Sequence, residues 1–188
     1  MASPTPTPTP QAEPTRPAPD RAARLRRTLR SWGPQLLFLV VVFLGLRAYQ
    51  LRGAAEGEAP PVVGRSVHAP DQWLTLAQHR GQPTLVYFWA TWCGVCNVVD
   101  PNVDAVAADH PVLTVAVSSG GEEEVAGWMR ERGLSMPTVT DPEGRIARSF
   151  GVRAFPTSFF VDAEGQITAR EVGYTSTLGL RGRLWLAR

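Results

Sequence analysis

Two apolar runs, Thr84–Trp89 and Val112–Val117, constrain the fold of this chain more than any other feature. Each is short and rich in β-branched and aromatic side chains, which is typical of a strand that is covered on both faces of a sheet. A helix is predicted between them, from Cys93 to about Asp109. A strand, a helix and a second strand in this order form a right-handed unit with parallel strands. The fold class is therefore predicted to be α/β.

The remaining pattern adds helices and an antiparallel hairpin to this unit. Acidic residues at the start and arginines at the end favour a helix over residues 122–132, because both match the helix dipole. A turn signal at residues 163–165 predicts that the strands on either side of it pair with each other. The other predicted elements are a short helix at 146–150, hairpin strands at 157–162 and 166–172, and a closing helix at 177–186.

The N-terminal segment differs in charge from the rest of the chain. Residues 1–52 contain eight arginines and two acidic residues, whereas residues 53–188 contain eleven arginines and fifteen acidic residues. The basic excess lies outside the predicted folded domain, which argues against a nucleic-acid-binding face. Residues 1–30 are rich in proline and arginine and are expected to form a disordered cytoplasmic tail.

An apolar run from Leu36 to Leu46 follows the arginines. It is short for the roughly 20 residues that a bilayer requires, but Trp32 and Tyr49 extend it as interfacial residues. We expect a single transmembrane anchor over residues 31–50, with a cleaved signal peptide as the alternative. The preceding arginines keep the N-terminus cytoplasmic. The chain after a predicted linker at 51–66 is then extracytoplasmic, where disulfides persist.

The chain has only two cysteines, Cys93 and Cys96, which follow the first apolar run. Two cysteines cannot build a multi-disulfide scaffold, but they can form one local and exchangeable disulfide. A sulfur at a helix N-terminus faces unpaired N–H groups and the positive end of the dipole, which stabilise a thiolate. Cys93 is therefore predicted to be the nucleophile, and Cys96, one turn deeper, to resolve the mixed disulfide.

Metal binding is the main alternative role for the two cysteines. Zinc sites usually have four ligands, and His68, His79 and His110 supply no second pair at ligand spacing. Copper(I) can be held by two thiolates alone, so a Cu(I)-binding or copper-stress module remains open. A thiol-dependent holdase is a third alternative. Covalent haem is excluded because no histidine follows Cys96. No cofactor is expected beyond the redox-active pair itself.

Residues 87–96, YFWATWCGVC, resemble the active site of the thioredoxin superfamily. The resemblance covers roughly residues 65–180 and is greatest to membrane-tethered, TlpA-like periplasmic thioredoxins, in particular the suppressor-of-copper-sensitivity protein D (ScsD) group. Pro101 stands where this family kinks its active-site helix. Residues 155–157, FPT, resemble the family's cis-proline loop, and residues 162–165, DAEG, resemble its hairpin turn.

This resemblance implies a thioredoxin fold over residues 67–188 and thiol–disulfide exchange with periplasmic protein thiols or disulfides. It also implies a bacterial inner-membrane location and a membrane electron donor or acceptor as a partner. In the family, the cis-proline loop lies against the catalytic disulfide and offers backbone groups to the substrate. The expected substrate-binding residues are Trp92, Gly94, Val95, Phe155 and Pro156.

One position departs from the family pattern. Thioredoxins carry a buried aspartate in the strand before the motif, which helps to deprotonate the resolving cysteine, and the aligned residue here is Tyr87. A phenol with a pKa of ~10 is a poor base near neutrality, so Tyr87 is interpreted as a packing residue. The proton of Cys96 must then pass to water, to another carboxylate such as Glu143, or by a slower route.

Overall fold

The computed structural model describes residues 34–45 and 57–187. The chain divides into two compact units, residues 1–45 and residues 46–188. In the first unit, residues 34–45 form helix α1. Among the described residues, no helix combines the length and the apolar character needed to cross a membrane. The tail expected over residues 1–30, and both ends of the anchor expected over residues 31–50, lie outside the described part of the chain.

The second unit alternates strands and helices along the chain. Six strands form one sheet in the order β1-β8-β7-β4-β5-β6, and β2 and β3 form a separate antiparallel pair. The elements are β1 Gly57–Glu58, β2 Val63–Arg65, β3 Trp73–Thr75, a 3-10 helix Leu76–His79, β4 Thr84–Trp89, α2 Cys96–Ala107, β5 Val112–Val117, α3 Glu122–Glu131, β6 Thr138–Asp141, α4 Arg145–Ser149, β7 Thr157–Val161, β8 Gln166–Val172 and α5 Thr177–Leu186.

Strand β4 lies inside the main sheet and leads directly into the cysteine motif. It pairs in parallel with β5 and antiparallel with β7, so its backbone groups are bonded on both sides. All six of its residues are buried. Strand β5 continues in parallel to β6, and β7 pairs antiparallel with β8. The predicted parallel pair, the predicted hairpin and the mixed sheet with flanking helices are therefore confirmed.

Each face of the sheet is covered by a buried apolar cluster. Side chains alternate along β4, so Tyr87 and Trp89 join the cluster that also contains both cysteines. Phe88 points to the opposite face, where its ring lies 5.0 Å from that of Phe150 and 5.7 Å from that of Phe159. Burial of one such side chain contributes roughly 1.5–3 kcal/mol, so this packing holds β4 from both sides.

Helix α2 begins at Cys96 and not at Cys93, which corrects the predicted start. The N-cap residue is Val95, whose side chain makes no capping hydrogen bond. Cys93 precedes it. The carbonyl oxygen of Cys93 accepts a hydrogen bond from the N–H group of Asn97 at 3.3 Å, and its sulfur accepts one from the N–H group of Cys96 at 3.2 Å. Pro101 lies inside the helix, where its missing N–H group removes one helical hydrogen bond.

The prediction that residues 57–66 belong to a linker is wrong, because this segment contains strands β1 and β2. Gly57 and Glu58 pair with β8 at the edge of the sheet, and the N–H group of Ala59 donates to the carbonyl of Gly165 at 2.9 Å. A strand of two residues carries no alternating pattern, and the prolines that follow it resemble a linker in composition. The folded domain therefore starts by Gly57, well before the predicted Val67.

Candidate active site

Cys93 and Cys96 are joined by a disulfide bond, and their Cα atoms lie 5.2 Å apart. The bond lies just beyond the end of β4, where residues 90–95 lead the chain into α2. Cys93 retains 7% of its surface, whereas Cys96 is fully buried. Cys93 is therefore the member of the pair that meets solvent.

The loop that carries the motif is fastened to the segment after β5. The N–H group of Thr91 donates to the hydroxyl of Ser119 at 3.0 Å, and the indole N–H of Trp92 donates to the carbonyl of Ser118 at 3.0 Å. Because β4 and β5 are parallel, their carboxyl ends meet at the same edge of the sheet, which places this segment beside the cysteines. These bonds fasten the loop at Thr91 and Trp92, ahead of the cysteines.

The hydrogen bond from the N–H group of Cys96 to the sulfur of Cys93 indicates how a thiolate could be stabilised here. It is 3.2 Å long and belongs to the first turn of α2. In the reduced protein, the same group and the positive end of the helix dipole would face the Cys93 thiolate. The arrangement suits a nucleophilic sulfur.

Exposed apolar side chains surround the entrance to the disulfide. Trp92 is 63% exposed, and its ring packs edge to face against Phe155 at 5.6 Å. Gly94 and Val95 lie exposed in the turn between the two cysteines, and Val98 extends the apolar surface along the first turn of α2. The structure thus brings Trp92 and Phe155 into contact and places Gly94 and Val95 at the same open surface.

The Phe155–Pro156 peptide bond is cis, as the resemblance to thioredoxins implies. Pro156 is buried just before β7, and its carbonyl accepts a hydrogen bond from the N–H group of Gly173 at 2.9 Å. Phe155 is half-buried and packs against the apolar cluster that contains both cysteines. Phe155 thereby packs the cis-proline loop against the same apolar cluster that holds the disulfide.

A buried carboxyl group, Asp100, lies one turn after Cys96 on α2 and is only 1% exposed. The hydroxyl of Tyr87 donates a hydrogen bond to its Oδ1 at 2.8 Å. Its Oδ2 has no hydrogen-bond partner among residues 34–45 and 57–187. Burial raises the pKa of Asp100 to about 7, although the bond from Tyr87 and the charge of Arg132 act in the opposite direction.

Tyr87 is buried, as its interpretation as a packing residue requires, but its hydroxyl also binds the carboxyl group of Asp100. Burial raises the pKa of Tyr87 far above its ordinary value, so it remains a neutral donor. Glu143, the carboxylate named from the sequence, is exposed and forms an ion pair with Arg145 at 3.0 Å. The signal for Asp100 was its position within the helical spacing of the apolar residues Cys96, Val99 and Val103.

No cluster of three or more histidine, cysteine or acidic side chains that could hold a metal ion occurs in the described part of the chain. The Nε2 atom of His68 lies 3.3 Å from the carbonyl oxygen of Met136. A metal at this site would therefore depend on the sulfur atoms of Cys93 and Cys96.

The Redoxin family model matches residues 54–179. A thioredoxin-like protein of Haemophilus influenzae is 34% identical over 109 residues, and the match covers 57% of this chain and 65% of that relative. The thiol:disulfide interchange protein DsbE of Pseudomonas fluorescens biotype C is 30% identical over 154 residues, which cover 79% of this chain and 86% of that protein.

The fold has counterparts among solved structures. One is the exposed lipoprotein thioredoxin Etrx1 of Streptococcus pneumoniae, with a TM-score of 0.59 and 25% identity, covering 68% of this chain and 99% of that one. The family match spans the sheet, the cysteine motif and the cis-proline loop together. This chain belongs to the Redoxin family and is a thioredoxin-like redox enzyme.

Proposed function

We propose that this chain is a membrane-tethered protein thiol–disulfide oxidoreductase that acts outside the cytoplasm through Cys93 and Cys96. Within its family, residues 87–96 favour the TlpA-like periplasmic thioredoxins and, among them, the ScsD group. The observation that carries the proposal is the position of the Cys93 sulfur. It accepts a hydrogen bond from the N–H group of Cys96, the first residue of helix α2, and belongs to the solvent-facing member of the disulfide.

In the reducing direction, the Cys93 thiolate attacks a disulfide of the substrate. One substrate sulfur leaves, and a mixed disulfide with Cys93 forms. Cys96 then attacks the sulfur of Cys93, which restores the internal disulfide and releases the second substrate thiol. Two electrons pass from the cysteine pair to the substrate. Oxidation of a substrate follows the same steps in reverse, and neither direction requires a soluble cofactor.

Proteins are the proposed substrates because the site is open and its rim is apolar. Trp92 and Val95 expose 63% and 49% of their surface beside the disulfide, which suits contact with a polypeptide. The cis-proline loop supplies the second contact. We propose that Gly94 keeps the approach to Cys93 open, and that Phe155 and Pro156 pair with the bound chain in a short β-like arrangement.

The tether is proposed from the sequence. Five arginines in residues 21–30 precede the apolar run, and helix α1 of residues 34–45 overlaps that run. This order predicts a cytoplasmic N-terminus and an enzyme domain on the other side of the membrane. The exposed location stated for the pneumococcal relative supports the same assignment. A membrane electron donor or acceptor is then the proposed source or sink of the two electrons.

The activity is tested with the full-length chain in the reduction of insulin by dithiothreitol. The wild-type chain should accelerate the reaction, and Cys93→Ala should reduce it to the rate without enzyme. Cys96→Ala should retain the first attack and accumulate a mixed disulfide that gel electrophoresis detects. If the wild type reacts no faster than Cys93→Ala and instead binds Cu(I) tightly, the copper-binding alternative replaces this proposal.

The location is tested by protease treatment of spheroplasts. The enzyme domain should be digested without lysis, whereas a tag on the N-terminus should be protected until the membrane is opened. Alkaline carbonate should leave the chain in the membrane fraction. Protection of the enzyme domain in intact spheroplasts contradicts the proposed orientation, and a chain released by carbonate contradicts the tether.

A further inference from the structure

We propose that Asp100 accepts and returns the proton of the Cys96 thiol during exchange, and that Tyr87 positions its carboxyl group. This inference rests on the proposed function, because it concerns the second step of the same reaction. It supplies a proton acceptor from helix α2 in a chain whose strand β4 carries Tyr87 at the place of the usual aspartate.

The first observation is the placement of the two residues on one helix. Cys96 and Asp100 are four residues apart in α2, and both are buried. Side chains at this spacing lie on the same face, with Cβ atoms about 5–6 Å apart. A fully buried thiol has no direct contact with bulk water, and its ionisation in an apolar cluster is unfavourable. A carboxyl group one turn away gives the buried Cys96 thiol a proton acceptor that does not require contact with bulk water.

The second observation is the asymmetric bonding of the carboxyl group. Tyr87 donates to Oδ1 at 2.8 Å, whereas Oδ2 has no hydrogen-bond partner within the described ranges. An unpaired buried polar atom typically costs about 1–3 kcal/mol. Because the Tyr87 hydroxyl donates to Oδ1, that oxygen is already occupied as an acceptor. The exchangeable proton of the carboxyl group is therefore carried by Oδ2. The orphaned oxygen is thus the atom that receives a proton.

The third observation is an exit for the proton. A cavity of about 220 Å³ has Asp100 among its lining residues and is large enough for water. The guanidinium of Arg132 stacks over the ring of Trp128 at 4.0 Å on the wall of this cavity. Its positive charge favours the ionised carboxyl group after the proton has left. The lining residues are Asn97, Asp100, Pro101, Trp128, Arg132 and Leu134.

The proposed step balances as follows. In the mixed disulfide, the Cys96 thiol transfers its proton to the Asp100 carboxylate. The resulting thiolate attacks the Cys93 sulfur, the bond between the two cysteines forms, and the bond from Cys93 to the substrate breaks. The substrate leaves as a thiolate that takes a proton from solvent, and Asp100 releases its own proton through the cavity. In the oxidising direction, Asp100 returns a proton to the departing Cys96 thiolate.

The charged and titratable groups around Asp100 allow this role at neutral pH. They are Cys96 on the same helix, Tyr87 on β4, and Arg132 at the end of α3. Burial outweighs the two groups that favour ionisation and brings the pKa of Asp100 to about 7. Both protonation states are therefore populated near neutrality, which is the condition for a group that takes and gives one proton.

The test uses the reduced full-length chain and the chromogenic disulfide 5,5′-dithiobis(2-nitrobenzoate). Attack by Cys93 releases a first equivalent of chromophore at a rate that depends on reagent concentration. Attack by Cys96 on the mixed disulfide then releases a second equivalent at a rate that does not. The variants are Asp100→Asn and Tyr87→Phe. Asp104→Asn is the matched control, because it makes the same change one turn further along α2.

Asp100→Asn should slow the second phase by about tenfold or more at neutral pH and leave the first phase within about twofold of wild type. At alkaline pH, where the thiol ionises without help, the two proteins should converge. Tyr87→Phe should move the inflection in the pH profile of the second phase, and Asp104→Asn should change neither phase. A merely structural role for Asp100 would not confine the loss to one phase or to one pH range.

A second phase that is as fast in Asp100→Asn as in wild type, across the pH range, overturns the inference alone. A first phase no faster than that of free cysteine overturns the proposed function instead. If Asp100→Asn does not fold, the carboxyl band of Asp100 in the infrared spectrum of the wild type, assigned by its shift in Tyr87→Phe, decides the question. The band should change between the reduced and oxidised proteins near neutral pH, and an unchanged band contradicts the proposal.

Discussion

The N–H group of Cys96 points at the sulfur of Cys93 from 3.2 Å, inside the first turn of α2. A thiolate at Cys93 therefore gains a hydrogen bond and the favourable end of the helix dipole. We predict that its pKa lies below that of a free thiol, because both effects favour the charged form. The rate of alkylation of the Cys96→Ala variant by iodoacetamide, followed against pH, measures it. An inflection at the value of free cysteine contradicts the prediction.

The stability of the oxidised protein should depend on the ionisation of Asp100. Its pKa rises from 3.8 to about 7 on folding, so the folded protein holds a proton that the unfolded chain has lost across that window. The free energy of unfolding should therefore fall as the pH rises from about 4 to 7, by at most about 1.4 kcal/mol per pH unit, and should level off above it. Urea denaturation of wild type and Asp100→Asn isolates this contribution, because only the wild type carries it. If the free energy of unfolding changes with pH in the same way in both proteins, the pKa of Asp100 is not raised by folding and the prediction is wrong.

Trp92 should matter for protein substrates and not for small ones. It is 63% exposed and contacts Phe155, so Trp92→Ala removes apolar surface from the rim without opening the core. We expect kcat/KM for insulin to fall severalfold, while the reaction with a small aromatic disulfide stays near wild type. Trp185→Ala is the matched control, since Trp185 is 64% exposed on α5. Equal losses with both kinds of substrate would assign Trp92 to the chemistry of Cys93 instead.

Asp141 should be important for folding and not for exchange. It is 4% exposed, and its carboxylate accepts hydrogen bonds from the N–H groups of Arg145 at 2.7 Å and Ala147 at 2.9 Å. Asp141→Ala leaves those groups unpaired at the start of α4 and should lower the free energy of unfolding by about 1–3 kcal/mol. Thermal denaturation measures the loss, and Glu143→Ala, at an exposed side chain nearby, should cost less than ~0.5 kcal/mol. A loss of thiol reactivity in the folded variant would contradict this division.

The strongly patterned elements could be predicted from the sequence with their observed bounds. Strands β4 and β5 are continuous apolar runs, and such runs indicate buried strands without any knowledge of their neighbours. Helix α5 was predicted over the observed residues, and its N-cap, Ser176, accepts a hydrogen bond from the N–H group of Gly179. These elements carry their own local signals, so tertiary context had little to add.

Other elements exist only because neighbouring chain segments support them. Strand β6, Thr138–Asp141, was not predicted: it has four residues, three of them polar. Its register with β5 and the hydrogen bond between the hydroxyls of Thr114 and Thr138 at 2.7 Å define it. Strands β2 and β3 have three residues each and pair with each other. Local propensity cannot reveal such elements.

The same distinction applies to the site. The cysteines could be found because they are three residues apart in a local motif, and the structure places them in a disulfide at the helix start. The contact between Tyr87 and Asp100 depends on how α2 is rotated against β4. A helical projection shows Asp100 within an apolar stripe, but only the packed structure reveals which group it meets.

Strand β4 is hydrogen-bonded along both edges, and the reactive sulfur of Cys93 follows directly after it. The backbone that positions this sulfur therefore has little freedom to move. Any adaptation needed for the three sulfur atoms of an exchange to line up must therefore come from the incoming protein. We expect good clients to be chains that present their cysteines on pliable or unfolded stretches. A disulfide recessed in a rigid native protein should be a poor client, because neither side of that encounter can bend.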